Sequence, residues 1–123
     1  FIDKKGEVIF SELSPRPHDT GMVTMFTQNY SQFDIHARVL LGMPLPDIKI
    51  NQPGASHVIL AEEKATGEYV IEGLEKALED KSVDYRIFGK PFLKSYRRMG
   101  VVLAPSLDQV KKAAKTILVK SIE

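Results

Sequence analysis

The chain has 123 residues and a formal net charge of +1, because 17 Lys and Arg residues face 16 Asp and Glu residues. Hydrophobic residues make up 43% of the sequence and charged residues 27%, which is typical of a globular protein and argues against disorder. There is no cysteine, which excludes a disulfide scaffold, a thiolate metal site and a cysteine nucleophile. We expect no nucleic-acid binding, no membrane span and no signal peptide, and a cytoplasmic location. The strand-like start without Met leads us to expect a piece of a longer protein.

Residues 1–13 predict a β-hairpin with a glycine-containing turn. In its second strand Val8, Phe10 and Glu12 share one face, so that a carboxylate ends an apolar row. Mg²⁺ prefers one or two carboxylates together with substrate phosphates, and Glu12 is therefore a candidate metal ligand. The alternative is a glutamate that simply leaves the sheet and is solvated. A partner carboxylate would have to precede Phe1.

Residues 14–21, with the sequence SPRPHDTG, predict a stiff polar loop, because two prolines remove backbone donors and disfavour helical angles before them. The guanidinium of Arg16 is suited to phosphate or carboxylate. Asp19 is suited to accept hydrogen bonds from an amine substrate. We interpret His18 as a hydrogen-bonding residue of the loop.

The remaining pattern predicts an α+β protein with a boundary in the middle. A helix from about Ser31 to Leu41 begins with a capping box to Asp34 and ends before a segment, 42–54, that contains three prolines and two glycines. Beyond it the pattern predicts strands at 55–61, 83–88 and 98–104, and helices at 71–80 and from the Ser106/Gln109 capping box to Leu118. We therefore expect a domain end at 1–45 and a small α+β domain with about three strands and two helices at 46–123.

Charge is unevenly distributed along this second part. Residues 62–84 hold eight acidic residues, whereas residues 85–107 hold five basic residues and no acidic one. Within the basic stretch, Lys90, Arg97 and Arg98 are suited to a phosphate monoester if a bulge or turn at the strand entrance lets them converge. A solvated basic loop is the alternative. The sequence contains no glycine-rich nucleotide-binding loop of either common type.

The run from Phe10 to Thr24, which contains the octet SPRPHDTG, resembles the late ATP-grasp segment of the formate-dependent phosphoribosylglycinamide formyltransferases. The resemblance continues through 31–33 and 41–44, and it reappears at 88–91 and 97–101. It covers nearly the entire chain and corresponds to the C-terminal third of such an enzyme. Ser14 stands where many other ATP-grasp enzymes have Asn, which favours this branch.

The resemblance implies an ATP-grasp enzyme of purine biosynthesis in which ATP activates formate as formyl phosphate and glycinamide ribonucleotide accepts the formyl group. Glu12 would be one of two Mg²⁺-binding glutamates, and Asp19, Lys90, Arg97 and Arg98 would bind the ribonucleotide. Arg16 is our own addition, as a catalytic group that neutralises charge on the formyl phosphate. The fragment alone is expected to be inactive, and the full-length enzyme is expected to be a homodimer.

Two alternatives remain at this point. The sister carboxyaminoimidazole ribonucleotide synthases also have an RPH loop, but there we would expect Asn-Ser in place of Asp19-Thr20. The other alternative is a non-catalytic module that serves as a substrate-binding cap or a dimer surface, for which the helix from Ser31 to Leu41, with Tyr30 and His36, is a candidate.

Overall fold

The computed structural model of the protein describes residues 1–122, which form short helices around two small antiparallel sheets. A 3-10 helix at Asp19–Val23 precedes helices α1 (Thr24–Thr27), α2 (Gln32–Leu40), α3 (Leu74–Ala77) and α4 (Leu107–Thr116), and the strands are β1 (Ala55–Leu60), β2 (Tyr69–Glu72), β3 (Asp84–Ile87), β4 (Arg98–Ala104) and β5 (Leu118–Ser121). No helix within these residues is long and apolar enough to cross a membrane.

The larger sheet has the order β1-β4-β3, with β4 between two antiparallel neighbours. All of β4 after Arg98 is buried, because the strand is a nearly continuous apolar run at the centre of the sheet, and α4 packs against β1 and β4. The register between β1 and β4 shifts by one residue, since Ile59 pairs with Gly100 and Leu60 pairs with Arg98. The bulge lies at Met99, next to Arg98 at the entrance of the strand.

The three predicted strands of the C-terminal part are confirmed, and they form this sheet. The prediction of the helices in the same part of the chain was partly wrong. Ile71 was placed in a helix, yet it lies in β2, which pairs with β5. Gly73, with φ +80°, separates β2 from α3, and a Cβ there would lie 2.0 Å from the carbonyl oxygen of Thr116. α4 likewise ends at Thr116, so that Leu118 lies in β5 rather than in the helix. The sequence prediction therefore missed the second sheet.

The predicted N-terminal hairpin is present but short: Phe1 and Ile9 exchange two backbone hydrogen bonds at 2.8 Å, and the N–H of Asp3 donates to the Glu7 carbonyl at 3.0 Å. Ile2 and Val8 form one isolated bridge, and the Asp3 carboxylate accepts hydrogen bonds from the backbone N–H groups of Lys5 and Glu7, each at 2.8 Å. Residues 9–18 belong to no helix or strand, so the long second strand that was predicted to end near Glu12 is not formed. Its apolar side chains are exposed and pack against no sheet within the described residues.

The hydrophobic core lies entirely in the C-terminal part. Every buried apolar residue of the described chain falls between Ile59 and Val119. By contrast, Phe1, Val8, Leu13 and Leu41 are all more than 70% exposed. The N-terminal part therefore contributes no residue to this core, although residues 21–28 are half-buried.

The proline-rich segment 42–54 follows the surface of α1 and its neighbours. Asn29 donates from Nδ2 to the carbonyl of Asp47 at 2.9 Å and accepts from the N–H of Lys49 at 2.8 Å. Gly54 then passes so close to Phe26 and Thr27 that a Cβ would lie 2.7 Å from either side chain. These contacts bring the 3-10 helix next to β1.

Candidate functional site

An ion pair joins the two parts of the chain at the sheet edge where β4 begins. Arg98, the first residue of β4, contacts through Nη1 the Oδ2 of Asp19, the first residue of the 3-10 helix. The Asp19 side chain is 27% exposed and that of Arg98 is 60% exposed, so both charged groups remain accessible to a ligand. Two of the residues that the sequence predicted separately as substrate ligands therefore lie in direct contact.

This pair lies at a cavity of about 170 Å³, which we call the Asp19 cavity. Its walls combine polar groups from the 3-10 helix and β1 with apolar groups from the sheet, and its lining residues are Asp19, Thr20, Met22, Ser56, Val58, Phe88, Arg98, Gly100 and Val101. Gly100 is required by close backbone packing, because a Cβ would lie 2.6 Å from the carbonyl oxygen of Arg86. The cavity has the apolar walls and few polar groups typical of a small-molecule site.

His18 holds the start of the 3-10 helix beside Asp19. Its Nδ1 lies 2.9 Å from Oδ1 of Asp19, 3.0 Å from Oγ1 of Thr20 and 3.3 Å from the N–H of Thr20, which it caps. This agrees with its interpretation as a hydrogen-bonding residue of the loop. The Asp19 carboxylate thus lies between an imidazole on one side and a guanidinium on the other.

Gln32, at the first position of α2, fixes the backbone of this loop. Its Oε1 accepts from the N–H of His18 at 3.0 Å, and its Nε2 donates to the carbonyl of the same residue. The helix start beneath it is well capped, because the Asp34 carboxylate accepts from Oγ and N–H of Ser31 at 2.6 and 2.8 Å. These hydrogen bonds lower the pKa of Asp34. The predicted capping box is confirmed, but the role of Gln32 was missed, since its only signal was its place in the resembling run at 31–33.

Lys90 and Arg97 lie in the segment between β3 and β4, which carries the rest of the basic stretch. Arg97 donates from Nη1 to the carbonyl of Phe92 at 2.8 Å, and its guanidinium lies 5.1 Å from the centre of the Phe92 ring. The side chains of Arg97 and Arg98 therefore have different partners. Lys90 is half-buried, and its carbonyl accepts from the Tyr69 hydroxyl at 2.7 Å.

Leu93 anchors this basic segment to the core. It is 1% exposed, and its N–H donates to the carbonyl of Gly67 at 2.7 Å. The segment also contains two positive φ angles, at Gly89 (φ 58°) and at Tyr96 (φ 52°). The chain between Lys90 and Arg97 is therefore fixed at a central point, although both ends lie near the surface.

Arg16 and Glu12 lie outside the Asp19 cavity. Arg16 lines a separate cavity of about 350 Å³ beside α2, together with His36 and Gln32, and it donates from Nη1 to the Pro17 carbonyl at 3.1 Å. Glu12 is exposed, and its carboxylate has no hydrogen bond or ion pair within residues 1–122. Among the same residues there is no cluster of three or more His, Asp and Glu side chains that could hold a metal ion.

Two families match different parts of the chain. The ATP-grasp domain family matches residues 1–33, and the family described as PurT, C-terminal, matches residues 54–120. The Asp19–Arg98 pair therefore joins one matched region to the other. The ATP-grasp match and the α+β architecture confirm the predicted fold class.

Relatives by sequence and by structure carry two related names. The formate-dependent phosphoribosylglycinamide formyltransferase of Synechocystis sp. is 51% identical over 118 residues, which cover 94% of this chain and 30% of that protein. The enzyme of the same name from Trichormus variabilis is 56% identical over 104 residues, covering 85% of this chain and 26% of that protein.

Among solved structures, N5-carboxyaminoimidazole ribonucleotide synthetase from Thermotoga maritima superposes with a TM-score of 0.91 at 30% identity, covering 99% of this chain and 36% of that chain. The N5-carboxyaminoimidazole synthase of Aspergillus clavatus, in complex with ADP and 5-aminoimidazole ribonucleotide, has a TM-score of 0.71 at 25% identity, covering 92% and 31%.

The present chain thus spans about 30% or less of the length of these two curated formyltransferases. The PurT C-terminal match extends over more than half of its 123 residues and includes the whole of both sheets except the last residue of β5. The chain therefore belongs to the PurT C-terminal family, and it also carries an ATP-grasp segment at its N-terminal end.

Proposed function

We propose that this chain is the C-terminal part of an ATP- and formate-dependent formyltransferase that formylates glycinamide ribonucleotide in purine biosynthesis. The observation that carries the proposal is the Asp19–Arg98 pair at the Asp19 cavity, where an anion and a cation are presented together by segments of two matched families. The identity of 51% and 56% to formyltransferases, against 30% to the structurally similar synthetase, favours formate as the acid.

The charged residues match two groups of a ribonucleotide, its phosphate and its amine. Arg98, Arg97 and Lys90 supply cations for its phosphate, because charge-assisted hydrogen bonds to phosphate are the strong ones. The hydrogen bond from Nη1 of Arg97 to the Phe92 carbonyl leaves other N–H donors of the guanidinium available for the phosphate. Asp19 accepts hydrogen bonds from the substrate amine, and Arg98 orients this carboxylate before the substrate arrives.

The proposed reaction transfers a formyl group in two steps. A formate oxygen attacks the γ-phosphorus of ATP, and the bond from that phosphorus to the bridging oxygen breaks, giving formyl phosphate and ADP. The substrate amine then attacks the formyl carbon, the carbon–oxygen bond to phosphate breaks, and one proton passes from the nitrogen to the departing phosphate. Arg16 neutralises the negative charge that develops on the departing phosphate, as a guanidinium suits planar, bidentate oxygen contacts.

Glu12 is suited to one ligand position of a Mg²⁺ ion, since its exposed carboxylate has no competing partner among the described residues. Asp3 is not suited to be its companion, because the Asp3 carboxylate already accepts two backbone hydrogen bonds in its own turn. Mg²⁺ in such enzymes supplies charge neutralisation for the phosphates of ATP. A second carboxylate would come from elsewhere in the full-length enzyme.

The same proposal includes the organisation of the full-length protein. Residues 1–45 form the end of an ATP-grasp domain and residues 46–123 a small C-terminal domain, of which Glu123 lies outside the described residues. The proposed enzyme is a cytoplasmic homodimer, and exposed apolar side chains of α2 and the turn after it, at Val39, Leu40 and Leu41, support a protein-covered surface there.

Steady-state assays of the full-length enzyme test this function. With ATP and glycinamide ribonucleotide present, we expect ADP release to depend on formate and not on bicarbonate, and the product to carry a formyl group by mass spectrometry. The second candidate, a carboxyaminoimidazole ribonucleotide synthase, is favoured by the TM-score of 0.91 and predicts the opposite dependence with aminoimidazole ribonucleotide as acceptor. The chain of residues 1–123 serves as a control that is expected to show no turnover; turnover by this chain would contradict its assignment as a fragment.

A further inference from the structure

Asp19 follows a segment with little regular structure, so its position needs a physical cause. The chain before Asp19 contains Pro15 and Pro17 and no helix or strand. In residues 9–18, therefore, only side-chain contacts can fix the position of Asp19 relative to the Asp19 cavity. The preceding residue, His18, is the point at which the loop is held. Both polar groups of its backbone bond to one side chain, the amide of Gln32.

Three neighbouring features fix the position of Gln32. Its own backbone N–H donates to Oγ1 of Thr24 at 2.9 Å, and that hydroxyl donates to the carbonyl of Gly21 at 2.6 Å. The Ser31 capping box fixes the helix start immediately before it. Gly21 leaves room for the amide, since a Cβ at this position would lie 2.3 Å from Oε1 of Gln32.

We propose that Gln32 is a positioning residue of the transferase site, which fixes the Asp19 carboxylate through the backbone of His18. The inference rests on the proposed function, because it assigns to Asp19 a contact with the ribonucleotide. Gln32 does not line the Asp19 cavity, and its hydrogen bonds outside α2 among the described residues are to His18 and Thr24. It acts by removing the freedom of the loop, so that binding does not have to supply the ordering.

The test uses the full-length enzyme and the variant Gln32→Met, which keeps the side-chain length and removes both hydrogen bonds. Two neutral hydrogen bonds predict a rise in the KM for glycinamide ribonucleotide of about tenfold, with the KM for ATP unchanged. Gln52→Met is the matched control, because Gln52 donates its amide to the carbonyl of Phe26 at 2.9 Å on the exposed surface. This control makes the same side-chain change but loses one exposed hydrogen bond, so it should cost less stability and leave both KM values unchanged.

A second pair of variants separates positioning from general weakening. In an Asp19→Asn background, Gln32→Met should have little further effect on the KM for the ribonucleotide, because the group that it positions is already impaired. Gly21→Ala places a methyl group where the side-chain amide of Gln32 lies and should reproduce the effect of Gln32→Met. It replaces Gln32→Met in the test if that variant does not fold.

The outcomes distinguish this inference from the proposed function. If Asp19→Asn leaves the KM for the ribonucleotide unchanged, the proposed function of this cavity is wrong, and the inference falls with it. If Asp19→Asn raises that KM and neither Gln32→Met nor Gly21→Ala does, only the inference is wrong. Equal rises in the KM values for ATP and ribonucleotide would also overturn it, since they indicate a general structural defect.

Discussion

Replacing Arg98 by Gln should weaken substrate binding much more than it weakens the fold. Among residues 1–122 Arg98 forms an ion pair only with Asp19, and its side chain is 60% exposed, so the pair contributes at most about 1 kcal/mol to stability after solvent screening. A charge-assisted hydrogen bond to a substrate phosphate is worth about 1.5–3 kcal/mol. That free energy corresponds to a rise of about 10- to 150-fold in the KM for the ribonucleotide.

Steady-state kinetics of the full-length enzyme with varied glycinamide ribonucleotide and saturating ATP and formate measure this change, and thermal unfolding measures the cost to stability. Arg86→Gln is the matched control, because Arg86 lies on the neighbouring strand and pairs with Asp84 at 2.8 Å, with both side chains 47% exposed. It removes the same charge and a similar ion pair away from the Asp19 cavity. If both variants raised the KM equally, the effect would be one of overall charge and the assignment of Arg98 would be refuted.

Three further predictions concern other parts of the chain. Arg16→Lys should lower kcat of the full-length enzyme roughly 10- to 100-fold if its planar fork stabilises the departing phosphate; an unchanged kcat would remove that role. Leu93→Ala should destabilise the chain by about 2–5 kcal/mol in denaturant unfolding because Leu93 is 1% exposed, whereas the 53% exposed Leu107 should tolerate Ala. Hydrogen bonds from Ser82 and Gln109 lower the pKa of Asp80, so its carboxylate stabilises the fold above the ordinary aspartate value of about 3.9 and loses this effect as pH falls through the lowered pKa. The difference in melting temperature between wild type and Asp80→Asn should therefore shrink in acid; a constant difference would contradict this linkage.

Local signals in the sequence were sufficient where the structure depends on neighbouring residues. The helix starts at Ser31 and Ser106 were predicted from residues three positions apart, and both hydroxyls accept the expected backbone hydrogen bond. The apolar run after Arg98 predicted a strand and is the buried centre of the larger sheet. In each case the local preference and the tertiary environment agree.

The failures have tertiary causes. Ile71, Leu74, Ala77 and Leu78 are spaced as on one helix face, but pairing with β5 holds Ile71 in a strand, and the left-handed Gly73 ends that strand before the helix begins. The partner strand β5 was hidden for the same reason, since its residues continued the apolar pattern of α4. A propensity summed over a window is a weak signal when a partner strand lies far away in the sequence.

The candidate site shows the same division between local and long-range information. The loop and the basic stretch were each predicted from their own residues, and the family resemblance implied one substrate for both. Neither argument could provide the direct contact of Asp19 with Arg98, because the two residues lie far apart in the sequence and meet only through the tertiary packing of the 3-10 helix beside the larger sheet. The sequence arguments also could not identify Gln32, because its side-chain amide meets the backbone of His18 only in the folded structure.

The two halves of the ion pair are held by different forces, and this difference bears on how the site can work. Arg98 begins a strand whose other residues are buried in the sheet, so its backbone is fixed by the hydrophobic core. Asp19 lies in the part of the chain that contributes no buried apolar residue, and its position depends on hydrogen bonds through His18 and Gln32. Replacing a hydrogen bond at a partly exposed site by one to water costs much less free energy than disrupting the packing of the core. Loss of the hydrogen bonds at His18 or Gln32 should therefore displace the Asp19 carboxylate and leave the sheet and the backbone of Arg98 in place.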